Sequence, residues 1–329
     1  MIGSRKAWLK GLGGLALLAL VAYLADPAAL LLRLRAADAR WLLLGLMASI
    51  ASNMASAWRW HALAQWLGLP MRRMDALRWY FQAIGLNVLL PGAVVGGDVY
   101  RAMVAFSAAQ SVAAPAPMHA VHAKAAASLS VLLDRLSGVW MLCAMGTCGA
   151  AASASALAPA LHMTPNALVM AACTGGLVWL CLPWALLVWL RKRDPSAFPA
   201  WIAPLAYAAA RPDAIHQGLV QALASALVQC LSAAALAFGG LALGVDVPAA
   251  AWAFAMAPIF LLAALPVSVG GWGTREAASI AALAPFGVPA AAAVGVALIY
   301  GAYALAQGAL GALAFGLPGK SRQKDPRPR

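Results

Sequence analysis

Charge is what this chain has least of: 10% of its 329 residues are Asp, Glu, Lys or Arg, and Glu276 is the one glutamate. Hydrophobic residues make up 64%, against about 45–50% apolar content in soluble domains, which excludes an ordinary soluble fold. Cysteine is sparse too. The five present, Cys143, Cys148, Cys173, Cys181 and Cys230, include no C-x-x-C pair, so neither a zinc ribbon nor a dithiol redox motif is available, and they read as small buried hydrophobes. P-loop, G-x-S-x-G, H-E-x-x-H and Rossmann fingerprints are all missing. That removes direct ATP hydrolysis and the common hydrolase chemistries, and no catalytic residue or cofactor is assigned. His119 and His122 stand three apart without a Cys or carboxylate nearby, too little for a metal cage.

The charge that is present is basic, with a formal net of +13. Its lysines and arginines fall between apolar blocks instead of along one amphipathic face, so they read as topology signals and not as a nucleic-acid footprint. The longest polar-leaning stretch, residues 191–217, is shorter than the roughly 40 residues an unaided domain needs. The sequence therefore predicts one membrane domain over residues 1–317 and a basic cytoplasmic tail over 318–329.

Two places break the apolar pattern in the same way. Residues 89–101 read LLPGAVVGGDVYR and residues 265–275 read LPVSVGGWGTR. The chain has five Gly-Gly and five Leu-Pro pairs, but these two places combine both with an arginine four positions after the second glycine. The glycines permit positive φ and close backbone approach, and helices are expected to start at Asp98 and Thr274. Free helix amides with Arg101 or Arg275 in the first turn would attract phosphate or carboxylate. The bland alternative is that the glycines only make turns and that Arg101 pairs with Asp98 or Glu276.

Full spans are expected over residues 8–25, 41–58, 125–151, 166–190, 218–243 and 289–315. An interfacial belt at Trp58–Arg78 and an Ala/Pro-rich connector at Ser107–Lys124 lie between them. If each motif is a re-entrant hairpin, the first of two half-length pieces and the second of residues 252–265 with a short helix over 274–284, sixteen Lys and Arg fall on the side of both termini and three, Arg33, Arg35 and Arg40, on the other. The positive-inside rule then puts both termini in the cytoplasm. The fold expected is all-α and polytopic, with about six full spans and two hairpins entering from opposite faces as an inverted repeat, which is how many transporters frame a midplane site.

Asp134 and Arg135 fall well inside a span, where each costs about 2.5–3.5 kcal/mol on the insertion scale. Two readings stand. Asp134 neutralises Arg101 or Arg275; or Arg135 completes an anion site while Asp134 takes an amine or a proton. Glu276 either pairs with Arg275 beside it or faces the cavity.

Three blocks, residues 59–102 (RWHALAQWLGLPMRRMDALRWYFQAIGLNVLLPGAVVGGDVYRA), 131–140 (VLLDRLSGVW) and 266–289 (PVSVGGWGTREAASIAALAPFGVP), resemble in order the lysylphosphatidylglycerol synthase transmembrane-region family, a flippase-like family. The resemblance implies a polytopic bacterial inner-membrane domain that moves an aminoacylated phospholipid between leaflets, or, in free-standing members, one linked with hopanoid, glycolipid or polyprenyl-lipid pathways. It adds Asn87 to the site and implies Gly96, Gly97, Asp98, Arg101, Asp134, Arg135, Gly270, Gly271, Arg275 and Glu276 as head-group residues. Bifunctional relatives fuse this region to a soluble aminoacyl-transferase domain, which the chain lacks, so it is not expected to be an enzyme. The expected partners are membrane lipids, with no nucleic acid, and a second copy or a lipid-biosynthesis enzyme as possible protein partners. The rival expectation is a non-transporting accessory subunit of such a pathway; a membrane-embedded lipid-modifying enzyme is a third, without a nucleophile–base pair to support it.

Overall fold

The computed structural model describes Tyr23 and residues 26–89, 94–111, 117–265 and 271–316. The expected first span, residues 8–25, lies almost wholly outside them, as does the tail. Among the described residues the protein is all-helical. Apart from a single turn at Ala154–Leu157, the α-helices are α1 (Pro27–Arg35), α2 (Ala39–Trp66), α3 (Arg73–Leu89), α4 (Val94–Gln110), α5 (Pro117–Ala152), α6 (Pro165–Arg191), α7 (Ala203–Ala210), α8 (Ala214–Ala242), α9 (Ala249–Ala264), α10 (Thr274–Leu283) and α11 (Ala290–Gly316). Five of them, α2, α5, α6, α8 and α11, are long and apolar enough to cross a membrane.

Local chemistry sets the helix starts. Asp26 accepts from the amides of Ala28 and Ala29 ahead of Pro27, Asp38 from Arg40, and Thr164 from Ala167 ahead of Pro165. Each occupies an orphan N–H that hydrocarbon could not solvate.

Two antiparallel helix pairs take the place of full spans. In α3/α4, Tyr100 donates to Gln82 at 2.6 Å and the Gly97 amide to Asn87 at 2.9 Å. The open end of this hairpin lies with the α2 C-terminus, since Ala109, Leu69 and Trp66 line one cavity. In α9/α10 the open end lies at the opposite end of the bundle: Trp252 packs on Gly240, while Leu283 and Val288 share a cluster with Leu243 and Val245, beside the backbone contact of Asp38 with Ala242. The two hairpins therefore enter from opposite faces, as an inverted pair.

Several expectations are corrected. Helices α3, α4 and α9 have 17, 17 and 16 residues, about 24–26 Å at 1.5 Å per residue, so these arms reach most of the way across and are not half-length, whereas α10, with 10 residues, is the short helix expected after the second motif. The expected connector at Ser107–Lys124 is largely helical, because α4 runs to Gln110 and α5 begins at Pro117. Cys148, Cys173, Cys181 and Cys230 are exposed and Cys143 is half-buried. In a bilayer the outward face is as apolar as the core, so hydropathy carries no sign of direction.

Small residues bring the hairpins against the spans. A Cβ on Gly85 of α3 would stand 3.0 Å from the Ala312 amide of α11, and one on Gly149 of α5 would stand 2.8 Å from the Ala250 carbonyl of α9. Side-chain removal allows the backbone approach on which helix packing in lipid depends.

Candidate functional site

Helix α2 runs eight residues beyond the expected end of its span, and that extension builds the site. Arg59, expected among the interfacial charges, is 5% exposed. It donates to Asp134 Oδ1 from Nε at 3.0 Å and Nη2 at 2.8 Å, to the Asp134 carbonyl at 2.9 Å and to Ser225 Oγ at 3.1 Å. Arg101, on α4, donates to the other oxygen, Asp134 Oδ2, at 2.7 Å. One buried carboxylate thus bridges two guanidinium groups. Of the two neutralising partners weighed for Asp134, the structure selects Arg101, replaces Arg275 by Arg59, and leaves the carboxylate no free side for an amine.

Arg101 lies between two aromatic rings, 4.3 Å from the Trp60 centroid and 4.6 Å from that of Tyr80. Trp60 is fully buried and donates to Ser130 Oγ at 3.1 Å, which corrects its reading as an interface anchor. Arg101 Nε has no acceptor among the described residues. The neighbouring residues Asp98 and Arg135 form a two-point ion pair, Nε to Oδ2 and Nη2 to Oδ1, both 2.9 Å, and Asp98 also lies 3.7 Å from Arg101. This pair is open: the Arg135 side chain is 47% exposed and that of Asp98 24%. The exposed side chains of Val99, Met103, Leu132 and Leu136 belong to the same two helices. The cluster holds three arginines and two aspartates, one positive charge in excess.

The glycines differ from expectation. Helix α4 begins at Val94, so Gly96 and Gly97 lie inside its first turn and Asp98 is not a helix start. The Gly97 amide, one of the four with no intrahelical acceptor, is satisfied by Asn87. A Cβ there would stand 2.6 Å from the Ala83 carbonyl, so Gly97 lets α3 and α4 come into close contact. Pro91 lies outside the described residues, as do Pro266 and Gly270.

In the second motif Thr274 does start a helix, after Gly271 and Gly273 at φ 78° and 85°. Glu276, fully buried, accepts from the Gly273 amide and, through Oε1, from Arg275 Nε at 3.2 Å and Nη2 at 3.0 Å. The Arg275 guanidinium lies 4.9 Å from the Trp272 ring centroid, packed against Gly301. Glu276 therefore pairs locally with Arg275, whereas Arg101 shares Asp134 with Arg59.

A polar seam escaped the sequence reading. On α2, Ser49, Ser52, Asn53, Ser56 and Arg59 share one helical face; on α8, Gln221, Ser225, Gln229 and Ser232 do the same. The faces meet through Ser52 and Ser232 at 2.8 Å, while Gln307 of α11 joins Ser49 at 2.7 Å and also holds Asn53. The periodicity, visible in the sequence once the helix is carried past Trp58, was the signal that marks Arg59 as interior. Among the described residues no three His, Cys, Asp or Glu side chains gather as metal ligands.

The sequence profile described as Lysylphosphatidylglycerol synthase TM region matches residues 8–311, a range that takes in both hairpins and every residue of the clusters above. No curated protein matches the chain. With nearly its whole length covered in one continuous match, this chain is a membrane protein that belongs to the lysylphosphatidylglycerol synthase TM region family.

Proposed function

We propose that the protein translocates a lipid with an anionic head group, a phospholipid or an aminoacylated, polyprenyl or hopanoid-type lipid, as a flippase or scramblase without catalytic activity of its own. The observation that carries this reading is the open Asp98–Arg135 pair beside the buried Arg59–Asp134–Arg101 bridge. Arg135 and Asp98 sit near the middle of α5 and on the hairpin, where an ion pair facing hydrocarbon is costly and one lining a wet groove is not. The single excess positive charge suits a phosphate, which would take the two-point geometry that Asp98 now occupies. Arg72, Arg73, Lys124, Arg191, Lys192 and Arg193 gather at the end of the bundle where the first hairpin opens, and that end is assigned to the cytoplasm.

Arg135→Gln tests the reading more cleanly than changes at the buried Arg101 or Arg275. In proteoliposomes, movement of fluorescent phosphatidylglycerol should slow by about tenfold or more, the effect of losing one charge-assisted hydrogen bond, with the folded yield unchanged. Unchanged movement would remove the site assignment. One observation favours a second reading, a non-transporting accessory subunit of a lipid or glycolipid pathway: Arg275 and Glu276 are satisfied by each other. Co-purification of a biosynthetic enzyme with no lipid movement by the pure protein would support it.

A further inference from the structure

Away from the charge cluster, two cavities meet at Trp66. The first, about 350 Å³, lies between α2, α5, α6 and α8 and is walled by apolar side chains including Leu133, Leu136, Leu182, Leu186 and Ala222. Its size falls in the range of about 300–1,000 Å³ typical of ligand sites. Its walls are braced by an exchange of indole hydrogen bonds. Pro183 has no amide to offer the Trp179 carbonyl one turn earlier, and Trp140 Nε1 donates to that carbonyl instead, at 2.9 Å, while Trp179 Nε1 donates to the Trp140 carbonyl at 2.8 Å.

The second cavity, about 520 Å³, is formed by the α2–α3 turn, the first turns of α5, and α7, and carries His122, Tyr207 and Arg211. A smaller space shares Arg211 and Trp66 with it and adds Gln65 and Gln217. Trp66 lines all three. The Trp66 indole Nε1 is buried without a partner among the described residues, and so is one oxygen of Asp213, the residue that Arg211 of the cavity wall pairs with. Arg211 gives one contact to Asp213 at 3.0 Å and one to the Trp66 carbonyl at 3.4 Å, leaving further N–H groups of its five.

We infer that this double cavity is a binding site for a glycerophospholipid whose head group both accepts and donates hydrogen bonds. One acyl chain fills the cleft between α5 and α6, the phosphate meets Arg211 and the Trp66 indole N–H, and a head-group hydroxyl or amine meets Asp213. The occupant is a lipid because the cleft's four walls, α2, α5, α6 and α8, are spanning helices, whose solvent is hydrocarbon, and because the cleft has too few polar groups to hold water. Phosphatidylglycerol and phosphatidylethanolamine satisfy the head-group chemistry; phosphatidylcholine has no head-group donor. The site is distinct from the Asp98–Arg135 cluster. Ser137 and Gln221 in its wall touch that cluster only through backbone, donating to the Asp134 and Arg59 carbonyls at 3.0 and 3.3 Å.

The test is equilibrium photolabelling, so it stands whether or not the protein moves lipid. The full chain in nanodiscs is irradiated with phosphatidylglycerol bearing a diazirine in one acyl chain, and adducts are mapped by mass spectrometry. Adducts are expected within residues 133–140 and 179–187. Ala222→Phe, which fills the cleft, should lower labelling roughly tenfold, and Arg211→Gln should weaken it to a similar degree. Unlabelled phosphatidylglycerol should compete better than phosphatidylcholine. Val139→Trp fills the cleft from the α5 wall should Ala222→Phe fail to fold. Labelling that is unchanged in a folded cleft-filling variant, or concentrated on the outward residues Met170, Leu177 and Val178, overturns the site. Equal competition by phosphatidylcholine overturns the head-group assignment.

Discussion

Arg101 and Arg275 hold the same place in their motifs, four residues after the second glycine, and both guanidinium groups lie against aromatic rings. Their surroundings differ. Arg275 meets one carboxylate, Glu276, its neighbour in sequence, and the pair is neutral and closed. Arg101 shares Asp134 with Arg59 from a third helix, and an open ion pair stands beside it. The second hairpin is satisfied by itself; the first is completed only by α2 and α5. Two copies of one local pattern have thus become a structural anchor and a candidate binding site, and what separates them is tertiary.

Asp134→Asn should break this comparison most severely. It leaves two buried guanidinium groups without their shared carboxylate, and removal of one partner from a buried pair costs about 3–5 kcal/mol; a large fall in the melting temperature of detergent-purified protein is expected. Glu276→Gln strands one arginine and weakens one amide contact, and should lower stability by about 3 kcal/mol, the lower end of that range. If Glu276→Gln proved the more damaging, the second hairpin would be the functional half. Gly97→Ala forces a Cβ into the Ala83 carbonyl and should cost about 1–3 kcal/mol through overpacking, read in the same melting assay. Trp60→Phe keeps an aromatic face over Arg101 but removes the hydrogen bond to Ser130. About 1 kcal/mol should be lost, with little change at Arg275.

The hairpins were legible because Pro and paired Gly are costly inside a spanning helix, and Asp98, Arg101, Asp134, Arg135, Arg275 and Glu276 stood out because charge is costly there. Which of them would meet was not legible, since Asp134 and Arg101 are 33 positions apart and Asp134 and Arg59 are 75 apart. Arg59 was lost among Trp58, Trp60 and Trp66, whose proximity to basic residues imitates a membrane interface. The start of α4 was misplaced because Gly-Gly reads as a helix breaker, whereas here the missing side chain at Gly97 serves helix contact.

The seam between α2 and α8 also sets a schedule for assembly. Ser52 and Ser232 are 180 positions apart, so at about 5–20 residues per second α2 waits roughly 10–40 s for its partner to be made. Through that interval its serines, Asn53 and Arg59 need substitute partners inside the translocation machinery or from backbone and lipid head groups. The protein's polar interior is therefore a debt incurred early in synthesis and settled only when the last third of the chain arrives.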